Sequence, residues 1–339
     1  YTKLMTNVGQ TSNRGIELQL NAWLIETKDF SLNATFNIGH NKNKIDKLAS
    51  GEKEWILTSA WRNDVVNSDD YRAYVGGTSG LIYGYVNDGF YTVADFESFD
   101  SKSRTWKLKE GVVDSSPLSD TPRPGNAKFK KLTPVDPNST NPYQLTEADR
   151  TVIGNTTPKF SGGFGLNATY KGFDMSMFFN FMYDFDVLNA NKIMLTTWAD
   201  NKENNFLMDI ASDKRWRNFD DMGNEIRYSP EVLAEFNKNA TMWNPTSIGR
   251  PICMSYAVED GSFLRLNSAT LGYTLPSVWT KKVGLSKVRF YVSGNNLFTL
   301  TGYSGYDPEV NIATGLTPNI DYNRYPRSRT YTFGAQLTF

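Results

Sequence analysis

The feature that most constrains the fold is a period-two alternation of apolar and polar residues that recurs along the chain. In the closing stretch RTYTFGAQLTF, Tyr331, Phe333 and Leu337 fall on one side of the alternation, and Thr332 and Gln336 fall on the other. Successive side chains of a β-strand point to opposite faces, so this pattern predicts strands with one apolar and one polar face. The sequence therefore indicates an all-β fold whose apolar face needs a water-free environment.

Seven stretches carry this alternation, and each is near the ~9–11 residues with which a tilted strand crosses a bilayer. A Lys171-Gly172 pair between two of them predicts a two-residue hairpin turn. The phase breaks between Leu266 and Ala269, which predicts a β-bulge near residues 267–268 or a strand end that has left the apolar zone. The seven stretches are residues 14–24, 30–45, 159–170, 173–186, 263–275, 288–300 and 329–339.

The connections between these stretches alternate between short and long. Residues 27–29, 171–172 and 276–287 make the short ones, and residues 49–158, 187–261 and 303–327 make the long ones. Short turns at one rim and long loops at the other are typical of outer-membrane barrels. Within the second long loop, Ser229 followed by Pro230 predicts the start of a short helix.

The composition argues against several classes of protein. The 339 residues include 36 basic and 36 acidic side chains, so no basic surplus supports a nucleic-acid partner. No apolar run reaches the ~18 residues that a membrane-spanning helix needs. This does not argue against a transmembrane barrel, because only every second residue of its strands meets lipid. Cys253 is the single cysteine, so an intrachain disulfide is excluded.

The sequence offers little for catalysis or cofactor binding. His40 is the only histidine, and its place at the upper end of a strand favours a solvated rim position over a catalytic one. The stretch GFGLNA at residues 163–168 has the form of a dinucleotide fingerprint. That motif requires a helix N-terminus, whereas strand periodicity runs through this stretch. We expect neither an enzyme nor a bound cofactor.

Eight segments in order resemble the C-terminal part of SusC/RagA-type TonB-dependent transporters of Bacteroidota outer membranes. Characteristic examples are RPGNAKFKKL, DRTVIGNTTPKFSGGF and KVRFYVSGNNLFTLTGYSGYDPEV. Together the segments extend over nearly the whole chain, and they lie at residues 7–21, 36–48, 83–91, 123–132, 149–164, 260–276, 287–310 and 325–339.

The resemblance implies a transmembrane antiparallel β-barrel of 22 strands with long extracellular loops, located in the outer membrane of a Gram-negative bacterium. Residues 1–339 would form its C-terminal portion and begin in a surface loop, with the plug domain and N-terminal strands outside this chain. The implied function is TonB-dependent import of nutrients, either oligosaccharides or peptides. The implied partners are a SusD-like lipoprotein, the missing plug and barrel segment, TonB–ExbB–ExbD acting through that segment, the barrel-assembly machinery and the lipid bilayer.

Two sets of residues follow as candidate sites. Tyr331, Phe333, Leu337 and Phe339 would face lipid and resemble the C-terminal signal that the barrel-assembly machinery reads. The candidate lumenal polar contacts are Glu17, Asp174, Asp184, Asp186 and Arg289. These carboxylates could bind cationic parts of a substrate or pair with Arg289, or they could be solvated lumen residues or plug contacts.

The resemblance also draws attention to a calcium-loop region and to the aromatic residues. Many relatives carry an Asp/Asn/Gly run where this chain keeps only Asp136, Asn138 and Asp149, without the regular oxygen spacing, so calcium is not expected. Tyr170, Tyr183 and Tyr273 suit interfacial girdles of a barrel. Six loop tryptophans could stack on sugars, dock the lipoprotein or pack within the loops, namely Trp55, Trp61, Trp106, Trp198, Trp216 and Trp243.

Two other functions remain open at this point. A transporter-like barrel could be a structural or assembly subunit of a larger outer-membrane complex without transport. Alternatively, a soluble β-rich carbohydrate-binding or adhesin module would bury Phe179, Phe181 and Phe333 inside a compact globule.

Overall fold

A computed structural model describes residues 9–59, 61, 69–197, 205–309 and 315–339. Trp198 lies outside the described residues. The helices are α1 (Ala190–Leu195), α2 (Pro230–Phe236) and α3 (Ser277–Thr280). The strands are β1 (Gln10–Glu26), β2 (Phe30–Lys47), β3 (Glu54–Leu57), β4 (Tyr71–Tyr74), β5 (Leu81–Gly84), β6 (Asn87–Phe90), β7 (Phe96–Asp100), β8 (Thr105–Leu108), β9 (Ala127–Phe129), β10 (Thr151–Asn155), β11 (Phe160–Tyr170), β12 (Phe173–Tyr183), β13 (Asp186–Asn189), β14 (Val258–Asp260), β15 (Phe263–Thr274), β16 (Lys287–Thr301), β17 (Ile320–Asp321) and β18 (Thr330–Thr338).

The largest element is an antiparallel sheet of seven strands in the order β1-β2-β11-β12-β15-β16-β18. These are the seven stretches predicted from the alternation, so the prediction of seven strands is confirmed. Neighbours in the sheet are also neighbours among these seven along the chain, which gives an up-and-down path with β1 and β18 at the two edges. The structure therefore confirms the all-β, antiparallel fold class.

The local turn predictions are confirmed as well. Lys171 and Gly172 both have positive φ, at 43° and 91°, which matches the twist of the flanking strands in a two-residue hairpin. On β15 the register shifts between Leu266 and Ser268. Against β12, Asn267 is the extra residue of the predicted bulge, whereas against β16 the extra residue lies on β16, between Asn295 and Phe298. The bulge returns Leu264 and Leu266 to the apolar face.

Three strands are longer than the predicted ~9–11 residues. β1, β2 and β16 have 17, 18 and 15 residues. In β1 and β2 the extra residues lie mainly at the rim of the long loops, beyond the apolar part of the alternation, whereas β16 keeps apolar residues up to Leu300. The first two strands therefore extend as a ribbon past the rest of the sheet at that rim.

The apolar positions of the seven strands lie in lateral register. One row near the short-turn rim pairs five aromatic residues on five adjacent strands, Phe30, Tyr170, Phe173, Tyr273 and Phe290. A second row, nearer the long loops, runs Leu20, Phe36, Phe164, Phe179, Leu266 and Phe298. Directly opposite residues point to the same face, so these rows make one continuous apolar surface.

The long loops fold together into a body above the long-loop rim of the sheet. Its larger pieces are a sheet in the order β10-β5-β4-β3 and a sheet in the order β14-β13-β17. One hydrophobic cluster joins all three long connections and includes Tyr71 and Ile82 from the first, Leu188 and Ile193 from the second, and Ile320 from the third. The three long connections therefore pack against each other as one unit.

The helices are short. α2 begins at Pro230 after Ser229, as predicted, although the Ser229 side chain makes no capping hydrogen bond. In the part of the chain that the structure describes, no helix is both long and apolar enough to cross a membrane.

Candidate lumenal and rim sites

The face opposite the apolar rows is polar and internally hydrogen-bonded. Asn33, which is buried, donates from Nδ2 to Asn21 Oδ1 at 2.7 Å and to the backbone carbonyl of Ala22 at 3.2 Å. The hydroxyls of Ser31 and Thr169 lie 2.6 Å apart. Short polar side chains that bond to each other across strands suit a concave, wet surface, where there is little room for long charged groups.

Arg289 and Asp174 form a charged contact on this polar face. Arg289 Nε donates to Asp174 Oδ1 at 2.9 Å and Nη2 donates to Oδ2 at 2.5 Å, so the pair is bidentate. The pair spans β12, β15 and β16, because Gly272 on the intervening strand leaves room for the guanidinium. The structure therefore brings these two predicted residues together, and their role as lumenal contacts stays a prediction.

The other predicted carboxylates lie elsewhere. Glu17 is exposed on the polar face of β1, next to Gly39. Asp184 and Asp186 were expected on the polar face of β12, and this placement was wrong because β12 ends at Tyr183. Asp184 takes a positive φ of 60°, which turns the chain out of the strand although the sequence alternation continues.

After this turn both carboxylates lie at the long-loop rim. Asp184 is 3.4 Å from Lys159 Nζ in an exposed pair. Asp186 accepts a hydrogen bond from the backbone N–H of Asn155 at 2.6 Å. Burial raises the pKa of the Asp186 carboxyl, an effect that the Asn155 bond partly offsets and that the nearby Asp260 reinforces.

A buried charged cluster, which the sequence did not reveal, ties the third long connection to the sheet. Arg265 of β15 is 1% exposed, and its Nη2 lies 2.6 Å from Asp307 Oδ1 and 3.1 Å from Glu309 Oε2. Arg327 reaches the other oxygen of Glu309 at 3.4 Å. Asp307 is 5% exposed, so the cluster is held by a nearly dry ion pair.

Beside this cluster lies a cleft of about 690 Å³. Two exposed tyrosines, Tyr306 and Tyr325, stand on its walls together with the exposed Arg324. Three side-chain amides contribute polar groups, from Asn189, Asn191 and Asn323. Asn191 also fixes the wall, because its Oδ1 accepts from the backbone N–H of Asn323 at 3.0 Å. Aromatic faces beside amide groups can bind polar, multiply hydroxylated or peptide-like molecules.

The loop tryptophans are mostly packing residues. Trp61, Trp216 and Trp243 are buried in hydrophobic clusters of the loop body. Trp55 and Trp106 are half-buried. Of the three roles considered from the sequence, loop packing therefore accounts for the buried three. The sequence did not distinguish them from Tyr306 and Tyr325, the exposed aromatics beside the cleft.

In the region expected to be a degenerate calcium loop, the aspartates accept hydrogen bonds from backbone N–H groups. Asp149 is buried and accepts hydrogen bonds from the backbone N–H groups of Leu132 at 2.9 Å, Thr133 at 2.7 Å and Thr146 at 2.8 Å. Burial opposes ionisation, but these bonds outweigh it and hold the pKa of the Asp149 carboxyl well below its usual range. Asp136 instead accepts from the backbone N–H of Asn138 in an exposed turn.

The residues considered for metal binding and catalysis are His40, Cys253 and the carboxylates. Among the described residues, no group of three or more His, Cys, Asp and Glu side chains could hold a metal ion. His40 is exposed, as predicted, but it does not lie at a strand end, because β2 continues to Lys47; its Nδ1 lies 2.6 Å from the carbonyl oxygen of Lys159. Cys253 is fully buried, and burial raises the pKa of its thiol.

The last strand presents its apolar residues without cover. Tyr331, Phe333, Leu337 and Phe339 are all exposed, and Phe333 is 81% exposed. β18 pairs with β16 on one side only, and β1 pairs with β2 on one side only. Both edges of the sheet therefore present backbone N–H and C=O groups without strand partners among the described residues.

Comparisons with known proteins point to one family. TonB-dependent receptor P3 of Formosa agariphila is 32% identical over 339 residues, which cover 98% of this chain and 29% of that protein. TonB-dependent receptor SusC of Bacteroides thetaiotaomicron is 26% identical over 343 residues, which cover 99% of this chain and 27% of that protein. The chain thus spans about three-tenths of the length of these relatives. No protein-family model matches.

Solved structures show the same fold. The RagAB peptide transporter matches with a TM-score of 0.65 at 23% identity, over 98% of this chain and 30% of that one. The RagAB peptide importer in its open-open state matches with a TM-score of 0.62 over 98% of this chain. The sequence relatives therefore confirm the family predicted from the sequence: the chain matches part of the length of TonB-dependent receptors of the SusC type, and the RagAB structures show the same fold.

Proposed function

We propose that this chain forms part of the wall and the extracellular loops of an outer-membrane barrel that imports nutrients in a TonB-dependent manner. The seven-stranded sheet is the wall, its apolar face meets lipid and its polar face lines the lumen. The packed loop body lies at the outer rim, where substrate enters. The protein performs no bond chemistry in this proposal, and uptake works by gating.

The observation that carries the proposal is the uncovered, laterally aligned apolar face. From the row of Phe160 and Tyr183 to the row of Tyr170 and Phe173 there are ten residues along a strand. At ~3.3 Å per residue this is about 33 Å, which a tilt of about 40° reduces to roughly 25 Å. That height equals the apolar band of outer-membrane barrels, and aromatic residues stand at both of its edges.

The polar face and the cleft support a polar nutrient as cargo. The lumenal candidates Glu17, Asp174 and Arg289 add charge to a surface of Asn, Ser and Thr side chains. The cleft beside Tyr306 and Tyr325 offers stacking faces and amides, which suit an oligosaccharide or a peptide equally well.

The open edges support the remaining parts of the proposal. Unpaired backbone groups are costly in hydrocarbon, so β1 and β18 need further strands to close a barrel. We propose that residues 1–339 are the C-terminal portion of a 22-stranded barrel whose other strands and plug come from outside this chain. The same assembly would bind a SusD-like lipoprotein and receive energy from TonB–ExbB–ExbD. Tyr331, Phe333, Leu337 and Phe339 would serve as the signal for the barrel-assembly machinery.

A fractionation and growth experiment tests this function. The full-length protein should be recovered from the outer-membrane fraction and should need detergent for extraction. Deletion of its gene should abolish growth on one polymeric carbohydrate or on peptides, and the wild-type gene should restore that growth. Extraction in buffer alone would contradict the membrane barrel and favour a soluble binding module. Membrane location with normal growth on every source, together with stoichiometric non-nutrient partners, would favour the structural subunit instead.

A further inference from the structure

Two like charges face each other on the lipid side of the first strand pair. Arg14 of β1 lies directly opposite Lys42 of β2. On the same face, the next pair towards the long loops is Ser12 opposite Lys44. Directly opposite side chains on one face have Cβ atoms about 5 Å apart, and like charges in this position repel. Both Arg14 and Lys42 are exposed. Such a pair costs up to about 1 kcal/mol, and an anion bound between the two cations would remove this cost.

The carboxylates near this pair are already engaged. Asp46 lies 3.7 Å from Lys44, and Asp184 lies 3.4 Å from Lys159. Asp186 accepts from the Asn155 backbone. Within the described residues, neither Arg14 nor Lys42 has an ion-pair partner or a side-chain hydrogen bond. Among the described residues, neither cation therefore has a carboxylate within ion-pair distance, although Lys42 lines a pocket that also includes Asp184 and Asp186.

The pair lies just above the apolar band and in phase with it. On the same face of the sheet, the next pair towards the membrane is Ile16 opposite His40. Leu18 opposite Ile38 and Leu20 opposite Phe36 follow it. Two residues along a tilted strand raise the cations about 5 Å above the pair of Ile16 and His40. The headgroup layer on each side of a bilayer is about 5–8 Å thick, so the cations lie inside it.

The surface below the cations is apolar and open. Ile16 is 78% exposed, and Leu18 and Leu20 are also exposed. A ligand that neutralised Arg14 and Lys42 from this side would carry an anionic head and would lay its apolar part over these three residues. A soluble anion would neutralise the cations but would leave the apolar residues below them uncovered.

We infer that Arg14 and Lys42, supported by Lys44, bind the phosphate of a phosphorylated glycolipid of the outer leaflet, whose acyl chains lie over Ile16, Leu18 and Leu20. The inference rests on the proposed membrane orientation of the sheet. The phosphate relieves the repulsion between the two cations, and the lipid in turn holds the β1–β2 ribbon upright above the membrane. Guanidinium and ammonium groups are the usual ligands of lipid phosphates.

The test uses the full-length receptor, purified in neutral detergent, and a double variant, Arg14→Gln with Lys42→Gln. Lys102→Gln is the matched control, because Lys102 is an exposed cation in a tight turn of the loop body. The probes are lipid A with two phosphates, the same lipid without phosphate, and inorganic phosphate. Thermal melting and native mass spectrometry report stabilisation and the number of lipids bound.

The wild type and the Lys102→Gln control should bind phosphorylated lipid A and gain thermal stability from it. Each cation removed should weaken binding about fivefold, so the double variant should bind roughly 25-fold more weakly. Neither inorganic phosphate nor the phosphate-free lipid should replace the phosphorylated lipid. Without lipid, the double variant should melt at or above the wild-type temperature, because the repulsion is gone.

Three results would overturn the inference. Equal lipid binding by the wild type and the double variant would show that the cations do not hold the phosphate. Competition by inorganic phosphate as effective as that by the lipid would show a site for a soluble anion. A lower melting temperature of the double variant in neutral detergent would show that a carboxylate elsewhere in the full-length receptor already neutralises the pair. Each of these leaves the membrane location intact, whereas recovery of the receptor in the soluble fraction would refute the proposed function itself.

Discussion

Replacing Arg265 should release the third long connection from the sheet; in the structure this connection extends over residues 302–329, between β16 and β18. Arg265 Nη2 holds Asp307 at 2.6 Å and Glu309 at 3.1 Å, and its guanidinium also lies 5.4 Å from the centre of the Phe263 ring. Arg265→Met keeps much of the side-chain volume and removes the charge. The variant would leave two carboxylates in a nearly dry site with one partner missing.

The magnitude follows from burial. Removing one partner of a buried ion pair costs about 3–5 kcal/mol, because the remaining charge stays desolvated. Arg327 can still neutralise Glu309, but its side chain is 48% exposed, and an exposed pair contributes only about 0–1 kcal/mol. We therefore expect the connection to lose about 3–4 kcal/mol of stability against local opening. This loss corresponds to a rise of roughly 10²–10³-fold in the population of the open state.

Native-state hydrogen exchange on the full-length receptor, read over residues 302–329, measures this opening. Arg72→Met is the matched control, since Arg72 pairs with Glu54 in an exposed position with Nε 3.1 Å from Oε2. The control should change local stability by less than about 1 kcal/mol. Arg265→Met combined with Asp307→Asn should recover part of the loss, because the stranded charge is then absent.

The functional consequence concerns the cleft. Tyr306 is adjacent to Asp307 in the chain and stands on the cleft wall, so an open connection should weaken substrate binding while membrane insertion is unchanged. If Arg265→Met changed exchange no more than Arg72→Met does, the cluster would not anchor the connection. The assumption that this buried pair is strongly coupled would then be wrong.

Three further predictions concern other charged and terminal groups. Burial raises the pKa of the Asp70 carboxyl to about 6, although hydrogen bonds from Ser59 oppose the rise. A carboxyl with a raised pKa stabilises the fold at low pH, and this contribution is lost as the pH rises from about 4 through 6. The stability of Asp70→Asn should therefore match that of the wild type at pH 4 and exceed it by about 2–3 kcal/mol at pH 7.5. Limited proteolysis of residues 57–84 measures this difference. Asp149 has the opposite sign, because its pKa is lowered. Asp149→Asn should cost about 2–4 kcal/mol at neutral pH in urea-dependent proteolysis of residues 130–150, and this cost should shrink progressively as the pH falls below about 4 towards the lowered pKa. Deletion of Phe339 combined with Phe333→Ser should reduce the heat-modifiable, folded fraction in outer membranes several-fold, whereas the exposed loop change Phe219→Ser should leave that fraction unchanged.

The parts of the fold that the sequence predicted are local and periodic. The alternation predicted the seven wall strands, Lys171-Gly172 predicted a turn, and the phase break predicted the bulge at Asn267. Each of these depends on residues within a few positions of one another. The misplacement of Asp184 has the same origin, since its positive φ redirects the chain while the letters still alternate.

The loop body could not be predicted in this way. Its contacts join residues that are far apart in the chain, such as Thr156 Oγ1, which donates to the Gly80 carbonyl at 2.9 Å across 76 positions. The ion pair of Arg265 and Asp307 spans 42 positions, and neither residue has a sequence pattern that marks it. The buried tryptophans and the exposed Tyr306 differ only in such distant packing. The candidate cleft therefore became visible only in three dimensions.

The distribution of exposure across the sheet favours the proposed membrane wall over a soluble layer. A sheet packed on a second sheet would be driest at its centre and would hide its large aromatic residues there. Here the central Phe179 is half-buried only by neighbours on its own face, Phe164 at 4.6 Å and Phe298 at 6.3 Å between ring centres. Exposure then rises towards both edges, to 78% at Ile16 and 81% at Phe333. Higher exposure at the edges is expected of any open sheet, but a large aromatic face without a second sheet on it supports the proposal that lipid covers the face and that further strands cover the edges.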